Sequence, residues 1–116
     1  MPDKTAAAGL TLAFEPVADG FIVRCNGRLV AGLTDPIYLE LKKLIPGSKR
    51  IVLDLANLTH MDSTGLGTLV RLYVSAKSAG CALELKNIGK PIRHLLGVTH
   101  LVSVLAIVGE NHLRMG

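Results

Sequence analysis

The segment of the sequence with the clearest chemical potential is a short polar stretch, Asp62-Ser63-Thr64-Gly65-Leu66-Gly67. It lies between the apolar run Ile51–Leu55, typical of a buried strand, and a run with helical periodicity. A serine at the start of a helix lies at the surface, beside backbone N–H groups that have no partner within the helix. A phosphate on Ser63 would be stabilised by those donors and by the positive end of the helix dipole. The start of this helix could therefore accommodate a phosphate on Ser63.

The same residue types also have a purely structural explanation. Aspartate, serine and threonine are all favoured at the position that caps a helix N-terminus, and the helix needs only one of them. The sequence alone leaves open which of Asp62, Ser63 and Thr64 is the cap. Gly65 and Gly67 carry no side chain, so they would allow the backbone of a partner, or a nucleotide, to approach the helix start closely.

Enzymatic and metal chemistry are poorly supported by the pattern. Asp62, Ser63 and His60 are close neighbours on one connection, and such neighbours rarely reach the geometry of a nucleophile and its base. The Gly-x-Ser-x-Gly motif of hydrolases is missing, and Gly65-Leu66-Gly67 lacks the lysine and the spacing of a phosphate-binding P-loop. The histidines and cysteines show no metal-ligand spacing. We expect a binding protein rather than an enzyme, with no metal and no cofactor.

The elements that position the polar segment follow from hydrophobic periodicity and turn residues. Two strands that alternate around an Asp-Gly turn predict an antiparallel hairpin. Three amphipathic stretches predict helices on the remaining chain. The predicted strands are at 10–15, 21–25, 51–55 and 82–85. A first helix begins at Thr34-Asp35-Pro36 and ends at Pro46-Gly47, a second runs from 63 or 64 to a left-handed cap at Gly80, and a short third one runs from Pro91 to Gly97. The last predicted element, at 102–108, is a strand or a helical turn. This order predicts an α/β fold with a mixed β-sheet, an N-terminal antiparallel hairpin and helices packed mainly on one face.

Composition limits the setting in which the chain acts. Its 116 residues, 49% of them apolar, suit a single domain, which we place at residues 10–108 between flexible tails at 1–9 and 109–116. The net charge of +4 is scattered and aromatic residues are few, so we expect no nucleic-acid partner. The two cysteines favour buried, reduced thiols, and no apolar run reaches the length of a membrane span. We therefore expect a cytoplasmic protein without direct membrane insertion.

The strand Ile51–Leu55 followed by Met61–Gly67 resembles the signature of STAS domains, a family named for sulfate transporters and anti-sigma factor antagonists. The likeness continues on both sides, in Gly27-Arg28-Leu29, in Lys77–Leu83 and in Pro91–Leu101. It covers residues from about Leu10 to Val108, nearly the whole chain. The resemblance implies a STAS-like mixed sheet with three or four α-helices.

The resemblance also implies a regulatory function. Antagonist members bind an anti-sigma factor that is also a serine kinase, are released from it when phosphorylated, and are reset by a phosphatase. Carried over by position, the phosphorylated residue would be Ser63, with Thr64 second. The implied partner-binding residues are Asp62, Ser63, Thr64, Gly65, Leu66, Gly67 and Arg28. We expect a monomer or a weak dimer.

Two positions depart from the antagonist pattern. Arg28 and Val30 stand where antagonist members often carry acidic residues that help to engage the kinase. This departure supports an alternative, in which the chain is the STAS subunit of an ABC-type lipid transporter and docks on the transporter ATPase, or is a component of a stressosome-like signalling assembly. In the transporter case the same helix face would be a permanent interface, and phosphorylation would not be required.

Overall fold

The computed structural model describes residues 3–7, 9–99 and 106–108. The described elements are β1 (Asp3–Ala7), β2 (Leu10–Val17), β3 (Gly20–Leu29), α1 (Asp35–Leu44), a 3₁₀ turn (Ile45–Gly47), β4 (Arg50–Met61), α2 (Ser63–Ser78), β5 (Ala82–Lys86), α3 (Lys90–Thr99) and β6 (Ala106–Val108). The strands form one sheet in the order β1-β2-β3-β4-β5-β6. The first three strands are antiparallel neighbours, and the pairs from β3 onward are parallel. The predicted mixed sheet with an N-terminal antiparallel hairpin is confirmed.

The helices share one face of the sheet because of the strand order. Each helix joins two adjacent parallel strands, and each connection moves in the same direction across the sheet. Right-handed crossovers then place all of the helices on the same side. Along β4, Ile51, Leu53 and Leu55 point toward this side and belong to the core. Val52 points to the opposite face and is nevertheless buried.

Helix α2 supplies the central part of the core. It buries Leu66, Leu69 and Leu72, with Ala76 one turn further on. The helix ends at Ser78, and Gly80 follows with a φ of 75°. Glycine adopts this left-handed conformation without steric cost, so the predicted cap at Gly80 is confirmed.

The N-terminal residues were expected to form a loose tail, and this expectation is wrong for residues 3–7. These residues form β1, which pairs antiparallel with β2 in a register that joins Asp3 to Phe14 and Ala7 to Leu10. An edge strand is held by backbone hydrogen bonds, so it does not need alternating apolar side chains to form. The expected tail at 109–116 lies outside the described residues.

The ends of two elements and the cap of α1 also differ from the sequence prediction. Strand β4 does not end at Leu55 but continues to Met61, because register shifts allow its polar second half to stay paired with β3. Helix α3 passes through Gly97 and ends at Thr99, since a single glycine only weakens a helix. Thr34 precedes α1, but its side chain makes no capping hydrogen bond. In the final predicted element, Ala106–Val108 is a strand paired with β5.

The two cysteines are free and buried in the core. Burial, and to a smaller extent the negative charge of Asp54, raises the pKa of the Cys25 thiol to about 12. Burial also raises the pKa of Cys81. Both side chains therefore act as small apolar groups in a reduced protein.

Candidate functional site

The polar segment lies where β4 ends and α2 begins, at the carboxyl ends of the parallel strands. Met61 pairs with Leu29 at the end of β3, and the backbone N–H of Asp62 donates to the carbonyl oxygen of Leu29 over 3.4 Å. The connection that follows β3 therefore runs beside the first turn of α2. The carboxyl ends of parallel strands are the usual position of functional sites in α/β proteins.

Asp62 is the N-cap of α2. Its backbone is extended, with φ of −109° and ψ of −175°, and Oδ1 accepts a hydrogen bond from the backbone N–H of Gly65 over 2.9 Å. The second carboxylate oxygen, Oδ2, accepts from the backbone N–H of Ala31 over 2.9 Å. The N–H groups of Ala31 and Gly65 lower the pKa of Asp62 below its usual range, because they stabilise the ionised form. The Asp62 side chain therefore both caps α2 and ties it to the connection after β3.

Since Asp62 is the cap, Ser63 and Thr64 are not needed for that purpose. Both residues are exposed in the first turn of α2. Within the part of the chain that the structure describes, the Ser63 hydroxyl makes no hydrogen bond. A hydroxyl in this position is accessible to a modifying enzyme, and a phosphate on it would lie beside the positive end of the helix.

The two glycines of the segment have different surroundings. A β-carbon on Gly65 would lie 2.1 Å from the carbonyl oxygen of Leu29, so this glycine allows α2 to pack closely against β3. Nothing lies within 4 Å of the position that a β-carbon on Gly67 would occupy. Gly65 and Leu66 are buried, whereas Gly67 is exposed. The expectation that Gly65 keeps the surface open for a partner is therefore wrong, while Gly67 is open to close approach.

Arg28 reaches the same end of the sheet but is separate from the Asp62 carboxylate. It pairs with His60 across β3 and β4, and its backbone N–H donates to the carbonyl oxygen of Gly9 over 2.7 Å. The side chain is exposed and, within the described ranges, has no ion-pair partner. His60 Nδ1 lies 3.0 Å from the hydroxyl of Thr59, which itself donates to the carbonyl oxygen of Gly27. The histidine is thus engaged with the strand rather than with Ser63.

Asp54 has a positioning function that the sequence analysis missed. Oδ1 accepts hydrogen bonds from the backbone N–H of Ala56 over 3.1 Å and from Nδ2 of Asn87 over 3.0 Å. Oδ2 lies 3.9 Å from Nε of Arg24, and the Asp54 side chain is only 13% exposed. The carboxylate therefore holds β4 at its first register shift and holds the connection after β5. The sequence clue to this function is Asn87, an asparagine shortly after a predicted strand. In the structure it adopts a φ of 59°, a conformation that asparagine tolerates better than most residues.

Two negative findings concern other kinds of site. No group of three or more histidine, cysteine, aspartate or glutamate side chains among the described residues is arranged to hold a metal ion. No helix in the described ranges has the length and apolar character needed to cross a membrane.

Comparisons with known proteins give a consistent result. The family model described as STAS domain matches residues 14–113. An anti-sigma F factor antagonist of Paenibacillus polymyxa is 30% identical over 88 residues, which are 74% of this chain and 75% of the relative.

Solved structures share the fold. The crystal structure of an anti-sigma factor antagonist from Mycobacterium paratuberculosis superposes with a TM-score of 0.77 at 16% identity, covering 89% of this chain and 88% of the other. The phosphorylated form of the Bacillus cell fate determinant SpoIIAA superposes with a TM-score of 0.67 at 18% identity, covering 87% and 94% respectively.

Proposed function

Because the chain belongs to the STAS domain family, we propose that it is an anti-sigma factor antagonist that binds a serine-kinase anti-sigma factor while Ser63 is unphosphorylated. The observation that carries this proposal is that Asp62, and not Ser63, caps α2. Asp62 caps the helix with both carboxylate oxygens, and Ser63 keeps an exposed hydroxyl without a structural hydrogen bond. The names of the relatives support the anti-sigma factor as the class of partner.

Phosphorylation at this position would act as a release switch. The phosphate adds close to two negative charges next to the ionised Asp62, in the middle of the surface that the partner must cover. In the free protein the phosphate is stabilised by the helix N-terminus, so the modified state is not destabilised by its own fold. A loss of about 3 kcal/mol in binding free energy would weaken the complex more than a hundredfold, which is sufficient for a switch.

The exposed residues near the N-terminus of α2 define the proposed contact surface. Ser63, Thr64 and Gly67 face solvent, and Arg28 lies at the same end of the sheet. Gly65 and Leu66 contribute by fixing the position of the helix rather than by direct contact. The proposed activity is therefore binding in the cytoplasm, with the kinase adding the phosphate and an opposing phosphatase removing it. Thr64 is the second candidate for modification.

The proposal is tested by affinity capture from native cell extract with the full chain as bait. The baits are wild type, Ser63→Ala and Ser63→Glu, with Lys77→Glu as the control for added negative charge on α2 outside the proposed contact surface. We expect wild type, Ser63→Ala and Lys77→Glu to recover a serine-kinase anti-sigma factor, and Ser63→Glu to lose it. Recovery of a transporter ATPase by every bait, without an anti-sigma factor, would refute the proposal and favour the transporter subunit.

A further inference from the structure

The outer surface of α1 and α2 brings two positive charges to one aromatic ring. The guanidinium of Arg71 lies 4.3 Å from the centroid of the Tyr38 ring, and Nζ of Lys42 lies 5.8 Å from it. Both cationic side chains are exposed, and neither has a carboxylate at ion-pair distance within the described part of the chain. The neighbouring Glu40 is paired with Lys43 over 3.3 Å. The Tyr38 ring therefore has two cationic neighbours, and no carboxylate of the described residues neutralises either of them.

Large apolar side chains flank this pair of cations. Leu39 and Val74 are each 57% exposed, and they are the exposed large hydrophobic residues of the described ranges. Leu39 lies three residues before Lys42 on α1, and Val74 lies three residues after Arg71 on α2, so each is on the same side of its helix as one of the two cations. Helices α1 and α2 contact each other directly. Tyrosine and arginine are the residue types enriched in binding hot spots, and the exposed aliphatic side chains add apolar area that a partner can cover.

We propose that this surface, the α1–α2 seam, docks an acidic and apolar segment of the anti-sigma factor. The seam consists of Tyr38, Leu39, Lys42, Arg71 and Val74. Carboxylates of the partner pair with Lys42 and Arg71, and apolar side chains of the partner cover Leu39 and Val74. The identity of the partner rests on the proposed function, whereas the chemistry of the docked segment rests on the unpaired cations and their apolar flanks.

The seam is separate from the phosphorylation site. Arg71 follows Ser63 by eight residues on α2, which is about 12 Å along the helix axis. This distance exceeds the screening length of about 8 Å at physiological ionic strength. The seam therefore contributes affinity for the partner that does not depend on phosphorylation. The contacts near Ser63 contribute affinity that is lost when Ser63 is phosphorylated.

The seam can be tested with a defined probe that does not require the natural partner. The full chain, labelled with ¹⁵N, is titrated with a synthetic amphipathic peptide of leucine and glutamate, and with the same peptide carrying lysine in place of glutamate. We expect the acidic peptide to shift the backbone amide signals of residues 38–42 and 70–74, and to bind more weakly as salt is raised. The lysine peptide should leave these signals unchanged.

Charge-reversal variants identify the groups responsible. We expect Arg71→Glu and Lys42→Glu each to weaken binding of the acidic peptide about tenfold. Lys77→Glu is the matched control, because Lys77 is also exposed on α2 and also lies near a tyrosine, 5.9 Å from the Tyr73 ring centroid. It should change the affinity by less than about twofold. Dispersed amide spectra of the variants establish that they are folded.

The outcomes separate this inference from the proposed function. Equal weakening by Lys77→Glu, equal binding of the lysine peptide, or shifts confined to other parts of the chain would overturn the seam. Ser63→Glu should change the affinity for the peptide by less than about twofold, because of the distance from the seam. Peptide binding without capture of an anti-sigma factor would leave the seam standing and refute the proposed function. Capture of an anti-sigma factor without peptide binding at residues 38–42 and 70–74 would support the proposed function and overturn the seam.

Discussion

The substitution Asp62→Asn separates the capping function of this residue from its charge. In the structure each carboxylate oxygen of Asp62 accepts a different backbone N–H, Oδ1 from Gly65 and Oδ2 from Ala31, both over 2.9 Å. Asparagine offers one carbonyl oxygen, and its amide group is a donor that cannot accept the second N–H. The variant therefore keeps one of the two hydrogen bonds, while Asp62→Ala keeps neither.

The expected losses follow from these two bonds. Replacing an N-cap aspartate by alanine costs about 1 kcal/mol, and a hydrogen bond from a second N–H to a carboxylate contributes about the same amount. We expect the free energy of unfolding at pH 7 to fall by about 1 kcal/mol in Asp62→Asn and by about 2 kcal/mol in Asp62→Ala. For a domain of this size, 1 kcal/mol corresponds to about 4 °C in Tm.

The difference between wild type and Asp62→Asn should depend on pH. The pKa of Asp62 is lower in the folded than in the unfolded protein, because the two N–H groups favour the ionised form. Its stabilisation is therefore complete above the unfolded pKa of about 3.9 and is lost as the pH falls through the lower folded pKa. Protonated aspartic acid resembles asparagine in having one carbonyl acceptor, so the two proteins should converge in acid.

Urea unfolding followed by circular dichroism between pH 7 and pH 2.5 measures this convergence. Asp62→Ala provides the comparison in which both bonds are missing at every pH. A gap between wild type and Asp62→Asn that stayed constant over the whole range would refute the role assigned to the charge. Equal losses in the asparagine and alanine variants at pH 7 would refute the assignment of two separate bonds.

Two further predictions concern packing and thiol chemistry. Gly65→Ala should lower the free energy of unfolding by about 3 kcal/mol, because its β-carbon would lie 2.1 Å from the backbone oxygen of Leu29. The matched variant Gly67→Ala, which meets nothing within 4 Å, should be stabilised by about 0.5–1 kcal/mol through helix propensity; equal effects in urea unfolding would contradict the structure. Since burial raises the pKa of Cys25 to about 12, neither Cys25 nor the buried Cys81 should react with Ellman's reagent in the native protein, while both should react in denaturant. Rapid reaction of the native chain would show that the core is more open than described.

Much of the fold could be predicted because its signals are local. The alternation in β2, the Asp-Gly turn after it and the left-handed Gly80 each depend on a few consecutive residues. The strand β1 gave no such signal, because an edge strand is held by backbone pairing. The second half of β4 was also missed, since its polar residues remain paired only through register shifts against β3.

The candidate site shows the same limit more sharply. Three adjacent residues of the sequence could each have capped α2, and local propensity does not distinguish among them. The choice of Asp62 is reinforced by the N–H of Ala31, which lies 31 residues earlier in the sequence. The pairing of Tyr38 with Arg71 is likewise a contact between separate helices. Such contacts become visible only when the strand order has placed the elements side by side.

We propose that phosphorylation of Ser63 controls the binding of an anti-sigma factor. The most direct measurement is calorimetric titration of the anti-sigma factor recovered by the wild-type bait against two forms of the full chain, unmodified and carrying one phosphate located by mass spectrometry. We expect the phosphate to be on Ser63 and the Kd to rise at least a hundredfold, equivalent to about 3 kcal/mol. Equal affinity of the two forms, or a phosphate located on another residue, would contradict it.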